Sequence, residues 1–419
     1  MTAAAQLLRA GFDAEHREAL DTAAALYRQA LAAQPRMLEA HVNLAGLLWR
    51  LEDFDGSLAH ANEALALAPE HPYAQRIAGT ALMNLNRLDA AERHLRRALQ
   101  LQPAYPAAQL DLAFTLLGAG RLAEGWEWFG RRWGEGGLSR PAFYRPTHEW
   151  PGPGVPLHGQ AIAVYGEQGR GDVLQFLRYV PMLQALGARV VAVVRPELVS
   201  LVESSFPGVA CWRPGSSLQV QWHAALMDLP ARFGIALERI PAHVPYLRAP
   251  DEARARWTAR LAGWKDRLKV GIAWSGAAGQ ANNRNRAMPL SLLLPLARIG
   301  GVQCFSLQKE GAGTWTDTVA AAGELVDFGA EWQDFGDTAG FVEQLDLVVT
   351  VDTAVAHLAG ALGKPVWILL PPNADWRWLL EREDSPWYPS ARLFRRGFVA
   401  GREEQATRVA QALREHCAR

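Results

Sequence analysis

Lysine is almost missing from this chain. Of 43 basic side chains only Lys265, Lys269, Lys309 and Lys364 are lysine, and none falls in the first 264 residues. The skew towards arginine is mainly compositional, but it makes each lysine stand out. Cysteine is scarce as well. Cys211, Cys304 and Cys417 are too scattered for a disulfide framework or a zinc site. Net charge is absent, with 43 basic and 43 acidic residues, which excludes a general affinity for nucleic acid or an anionic membrane. Long apolar runs are missing too. The stretch 345–351 is far too short to span a bilayer, and residues 1–10 lack the basic and apolar regions of a signal peptide. The expected compartment is a reducing cytoplasm, with no membrane span and no nucleic-acid partner.

What is present first is a repeat. Pro35, Pro69 and Pro103 are spaced by 34 residues, each preceded five residues earlier by an alanine, Ala30, Ala64 and Ala98. Small residues recur at the same interval, at Gly11, Ala45, Gly79 and Ala113. Two helices per unit approach closely only where side chains are small, and proline closes the second helix. The pattern resembles the tetratricopeptide repeat (TPR) family, with three full units over 4–105 and a degenerate fourth. That fourth unit lacks the proline and carries Gly125, Trp126, Trp128, Phe129, Arg132 and Trp133. Its aromatics read as a cap that covers the last apolar face and glues the array to the next domain. An open aromatic platform for a sugar or peptide is the alternative.

The pattern then changes. Residues 140–159, rich in proline and glycine, read as a linker. Short apolar strands alternate with helical stretches in two series, 160–250 and 251–399, and an amphipathic helix occupies 400–419. Continuous apolar runs such as 345–351 are typical of buried parallel strands. At 419 residues, two to three domains are expected. The pattern as a whole implies an N-terminal α-solenoid at 1–139 and, after it, two Rossmann-like α/β domains facing a cleft.

Three loops follow strand ends, where open α/β sheets place ligands. The first, 166–172, contains Glu167, Gln168, Gly169, Gly171 and Asp172. Glycines allow close backbone approach to a ligand. Asp172, at a helix start, is either an N-cap or first-turn carboxylate that complements the helix dipole or a general base. The second, 275–287, holds Arg284 and Arg286, guanidinium groups suited to phosphates. Lys309 sits past another strand end and could neutralise a leaving diphosphate. The third, 352–357, opens a helix whose free N–H groups at Thr353 and Ala354 can meet a phosphate. Within it Asp352 is most simply an N-cap, and His357 is a packing residue or a ligand contact. Farther on, Trp376, Trp378, Trp387 and Tyr388 could stack on a base or sugar, or pack in the core.

The run from Asp352 through Thr353 and His357 to Gly363, Lys364 and Pro365 resembles the nucleotide-binding motif of heptosyltransferase-type glycosyltransferases. Gly171-Asp172 resembles their N-terminal Gly-Asp motif. The resemblance implies an inverting, metal-independent GT-B enzyme without cofactor. Asp172 would be its base and the turn 352–357 would hold the donor diphosphate. The family carries a lysine in the second loop, where this chain has Arg284 and Arg286. GT-B architecture also implies that the last helix crosses back onto the first α/β half. Gly125-Trp126, the run from Tyr165 to Asp172, Trp274 with Ser275 and Gly276, Ser306 to Lys309, Asp375 to Trp378, and Asp384 to Pro389 extend the likeness. Together they resemble bacterial TPR proteins with such a transferase domain, relatives of which are proposed to glycosylate flagellin or other proteins. The implied partners are a nucleotide-sugar and a protein acceptor recruited by the TPR groove, with self-association open. A non-catalytic binding module and a nucleotide-sugar epimerase of the same architecture remain as alternatives.

Overall fold

The computed structural model describes residues 2–134, 137–276, 282–309 and 325–418. Residues 277–281, within the second loop, lie outside the described residues. Two compact units form: Met1–Arg140 with Asp375–Leu380, and Pro141–Ala374 with Glu381–Arg419.

The first unit stacks four helix-turn-helix pairs: α1 (Ala3–His16) with α2 (Leu20–Ala33), α3 (Leu38–Arg50) with α4 (Phe54–Leu67), α5 (Pro72–Asn84) with α6 (Leu88–Leu101), and α7 (Pro106–Gly118) with α8 (Leu122–Phe129). In α6, Ala91, Leu95 and Ala98 fall on one face and are fully buried, which is why this charged segment folds as a docked helix. Gly79 is small for a reason. A Cβ there would lie 2.6 Å from Leu95 Cγ.

Two further devices repeat with the same period. Each turn within a pair passes through a left-handed residue, Glu18 (φ 57°), Glu52 (φ 64°), Asn86 (φ 60°) and Gly120 (φ 76°). Backbone bonds such as Asp53 N–H to Leu48 C=O, 2.9 Å, close these helix ends in the Schellman manner. At the start of α3, α5 and α7, His41 Nε2, Gln75 Nε2 and Gln109 Nε2 each reach back 2.9 Å to the carbonyl of Pro35, Pro69 and Pro103. His41 Nδ1 then faces His60 Nδ1 at 3.1 Å, and Gln75 Oε1 faces His94 Nδ1 at 2.8 Å. Burial, then the neighbouring His41, lowers the basicity of His60. Between α5 and α7, Arg76 Nε meets Asp111 at 2.6 Å.

The degenerate repeat is a closed cap. Trp126 and Phe129 are buried, and Trp126 meets Trp376 edge-on at 5.3 Å between ring centres. Arg132 and Arg140 lie over Trp133 at 4.5 and 4.1 Å. Trp376 and Trp378 therefore pack within the repeat unit, and Trp378 is fully buried.

The second unit holds two parallel sheets. One orders β1 (Ala161–Tyr165), β2 (Arg189–Val193), β3 (Ala210–Cys211) and β4 (Trp222–Ala225) as β3-β2-β1-β4. The other contains β5 (Leu268–Ala273), β6 (Val302–Ser306), β7 (Leu325–Asp327), β8 (Leu347–Val351), β9 (Val366–Leu370) and β10 (Ala391–Arg395), ordered β10-β9-β8-β5-β6-β7. All pairings are parallel. Every residue of β8 and β9 is buried, as their apolar sequences require. One face of the larger sheet buries Val270, Ile272, Val349 and Leu369. On an aromatic side, Trp257, Phe305, Phe328 and Phe341 meet, and Trp257 Nε1 donates to Asp337 at 2.9 Å.

Two expectations change, and one strand was not expected. The proline- and glycine-rich segment is fastened rather than slack: Trp150 is fully buried and its N–H bonds His223 C=O at 3.0 Å. The last helix, Arg402–Cys417, does not cross to the first half, because Val409, Ala410, Ala412 and Leu413 join the core of the larger sheet. Strand β10 had no sequence expectation. Arg392, exposed between buried neighbours, and Arg395 leave it no continuous apolar run.

Candidate functional site

In each sheet the chain order reverses beside the first strand, between β1 and β4 and between β5 and β8. Such reversals splay the loops at the carboxyl ends and open a crevice. The three loops singled out from the sequence leave β1, β5 and β8 at these reversals, and Lys309 follows β6, the other neighbour of β5.

The first loop turns into the helix Arg170–Phe176, with Gly169 as N-cap. Asp172 Oδ2 accepts the Gly169 N–H at 2.8 Å, so the carboxylate holds its own helix start. Glu167 and Gln168 sit half-buried in the turn. The third loop turns into the helix Ala354–Ala361. Its N-cap is Thr353, whose hydroxyl accepts Val355 N–H at 3.2 Å, and not Asp352, which stands one residue earlier. The cap falls on Thr353 because its backbone is the extended residue before the first helical turn (φ −144°, ψ 175°).

These two helix starts meet. A Cβ on Gly171 would lie 2.8 Å from His357 Cδ2, and 3.5 Å from both His357 Nε2 and Ala354 Cα. Glycine at 171 is therefore what allows the first turns from the two sheets to touch. His357 is buried, with Nδ1 2.9 Å from Tyr388 Oη and Nε2 3.9 Å from Asp352 Oδ1.

Sequence reasoning missed a buried arginine beneath this contact. Arg178 donates to Gln175 C=O (2.8 Å), Trp387 C=O (2.8 Å), Pro241 C=O (3.3 Å) and Tyr246 Oη (3.1 Å). Its guanidinium lies over the Tyr388 ring at 4.8 Å. A lone charge within the apolar stretch 173–180 was the available signal. Tyr388 and Trp387 are buried core residues here, so neither offers a stacking face.

The second loop is partly described. Gly276 N–H donates to Asn283 Oδ1 at 3.0 Å, and Ser275 N–H to Gln308 Oε1 at 3.1 Å. Arg286 lies against Gly276, while Arg284 is exposed. Arg402 binds the carbonyls of Arg284 and Ala287 at 2.8 and 3.0 Å, and Arg396 that of Asn285 at 3.1 Å. Burial, then Arg402, lowers the Arg396 guanidinium from its ordinary value. Neither holder was anticipated, because both act on backbone carbonyls far along the chain. Lys309 Nζ donates to Trp332 C=O at 2.9 Å. Lys309 and the arginines thus share one sheet edge with Thr353.

Residues 77–105 match the tetratricopeptide repeat family. The match falls on one repeat of the first unit, which is a TPR-like helical repeat. Protein FlbA of Caulobacter vibrioides is 30% identical over 335 residues, covering 73% of this chain and 54% of FlbA. The chain thus spans about half the length of the curated relative it matches. Similar solved structures include the first TPR of Spaghetti (RPAP3) bound to an HSP90 peptide, 26% identical with a TM-score of 0.26, covering 27% of this chain and 89% of that one. MamA from Desulfovibrio magneticus RS-1 is 17% identical with a TM-score of 0.30, covering 30% and 72% of the two chains.

Proposed function

We propose that the α/β unit is a GT-B-type glycosyltransferase that moves a sugar from a nucleotide-sugar donor to an acceptor hydroxyl with inversion. The observation that carries this reading is the meeting of two helix starts, one beside each sheet's reversal, at Gly171 and His357. Asp172 removes the acceptor proton while the anomeric carbon gains oxocarbenium character. The departing phosphate gains negative charge. The N–H groups at Thr353 and Ala354, the His357 imidazole, Arg284, Arg286 and Lys309 stabilise it. The reading calls for no divalent ion. The TPR array recruits the acceptor, a protein. A second reading, a binding module without turnover, is favoured by one observation: Asp172 already serves its own helix.

The test incubates the full chain with UDP-, ADP-, GDP- and CMP-sugars in EDTA, with candidate acceptor proteins. Acceptor-dependent release of one free nucleotide is expected. Release that needs added metal overturns the metal-independent mechanism. Stable nucleotide binding without any release supports the binding module, and an isomerised nucleotide-sugar formed without acceptor identifies an epimerase.

A further inference from the structure

Two histidines face each other inside the second repeat, ring nitrogen to ring nitrogen. His41 lies in the first turn of α3 and is buried, and His60 sits half-buried on α4. Their Nδ1 atoms are 3.1 Å apart. The hydrogens of this contact can be counted. The Pro35 carbonyl, 2.9 Å from His41 Nε2, only accepts, so Nε2 carries a hydrogen. A neutral ring carries one, which leaves His41 Nδ1 bare, and His60 Nδ1–H donates to it. The third repeat builds the same contact from a different side chain. Gln75 Nε2 donates to the Pro69 carbonyl at 2.9 Å, and Gln75 Oε1 accepts from His94 Nδ1–H at 2.8 Å.

The two versions answer acid differently. His94 keeps its Nδ1–H when its other nitrogen is protonated, and the amide oxygen accepts from it in both states. Burial and then Arg93 lower His94, so the third repeat also loses some stability in acid, but its bond persists. The His41–His60 contact survives a first proton, taken by His60 at Nε2. A second proton has only His41 Nδ1 left to occupy. It would set N–H against N–H, and cation against cation, across 3.1 Å. In the unfolded chain each ring takes its own proton below about pH 6.5. The folded pair therefore binds fewer protons in acid than the unfolded segment does. The stability it contributes is present above about pH 6.5 and is lost as pH falls. The surrounding charges agree in sign. Burial, then His41 and Arg28 of α2, lower His60, against Glu63 of α4 and Asp53 at its cap. Arg76 of α5 is taken by Asp111, and Arg50 of α3 by Glu15 and Glu18, while Arg9, Asp21, Glu39 and Asp55 are exposed. The ring pair spans a tight part of the repeat. Ala61, next to His60, is fully buried and packs with Ala45 of α3.

We propose that the His41–His60 pair is an acid-sensitive latch between α3 and α4, which fastens the second repeat at neutral pH and releases it when both rings are charged. The latch is independent of the nucleotide-sugar reading above. The third repeat, with glutamine where the second has His41, lacks it and serves as the reference within the same chain.

The experiment is amide hydrogen exchange of the full chain at about pH 7.5 and about pH 5, corrected for the intrinsic exchange rate at each pH. Protection is compared between residues 38–67, which span α3 and α4, and residues 72–101, which span α5 and α6. On acidification the wild type is expected to lose about tenfold more protection in 38–67 than in 72–101, the effect of about one proton over about one pH unit. His41→Gln copies the third repeat. It is expected to keep its protection at neutral pH and to abolish the excess loss in acid. His60→Gln leaves an amide that can donate to His41 Nδ1 or accept from it, and is expected to do the same. With two variants, poor folding of one does not decide the matter. Equal losses in the two segments of the wild type overturn the proposal. So does an excess loss that persists in either variant whose neutral-pH protection matches the wild type.

Discussion

On the proposed glycosyltransferase reading, replacing Asp172 by asparagine is expected to lower sugar transfer by about 10²–10⁴-fold, the usual contribution of a positioned general base. The substitution is chosen for what it preserves. Asparagine keeps a side-chain oxygen that can accept the Gly169 N–H, the bond Asp172 makes at 2.8 Å, so the helix start stays capped. It removes the negative charge and with it the ability to take a proton. Donor affinity, which the proposal assigns to the turn at Thr353 and to the arginine loop, should change little. Asp172→Ala removes both roles, and the lost cap costs about 1 kcal/mol of stability in addition. Turnover by Asp172→Asn at the wild-type rate would take Asp172 out of the base role and leave it as a capping residue.

The second large effect concerns stability. Arg76→Met is expected to destabilise the TPR array by about 3–5 kcal/mol, because it leaves a buried carboxyl without its cation. The Asp111 side chain is largely buried, 13% exposed, and Arg76 reaches it from α5 at 2.6 Å. Burial pushes the Asp111 carboxyl up to about 6, even though Arg76 opposes the shift. That direction sets the sign of the pH dependence. A carboxyl raised above its unfolded value binds more protons in the folded state, so its contribution is complete at low pH and is lost as pH rises through about 6. Without Arg76 the carboxyl rises further. The deficit of Arg76→Met relative to wild type should therefore grow between about pH 5 and about pH 8, read by urea unfolding of the array. A deficit that is small and independent of pH would mean that Asp111 relaxes to solvent once its partner is gone.

Much of this was legible in the sequence because it depends on spacing. The 34-residue period of Pro35, Pro69 and Pro103 marks the repeats, since each unit must repeat the same packing. Gly171-Asp172 and the run 352–357 stood out because strand ends and helix starts carry local signals, and the structure brings Gly171 against His357. What was hidden is non-local. Arg178 is explained only by carbonyls that include Trp387, far along the chain. Arg396 and Arg402 support the arginine loop through its backbone, which no side-chain pattern records. Strand β10 escaped because Arg392 and Arg395 interrupt its apolar residues. The left-handed turns at Glu18 and Glu52 escaped because glutamate is not the residue that such backbone favours.

The most direct test of the central claim is a thermal melt of the α/β unit within the full chain, against UDP, ADP, GDP, CMP and their sugar conjugates. A ligand bound only by the folded state stabilises it by about 2.7 kcal/mol at about a hundredfold excess over Kd. The account predicts that one nucleotide class raises the melting temperature. It also predicts that Gly171→Val abolishes that rise and destabilises the ligand-free fold by about 1–3 kcal/mol without removing the cooperativity of its melt, because the added side chain enters the space shared with His357 and Ala354. No rise with any nucleotide at millimolar concentration, or an undiminished rise in Gly171→Val, would contradict a nucleotide-sugar site at this contact.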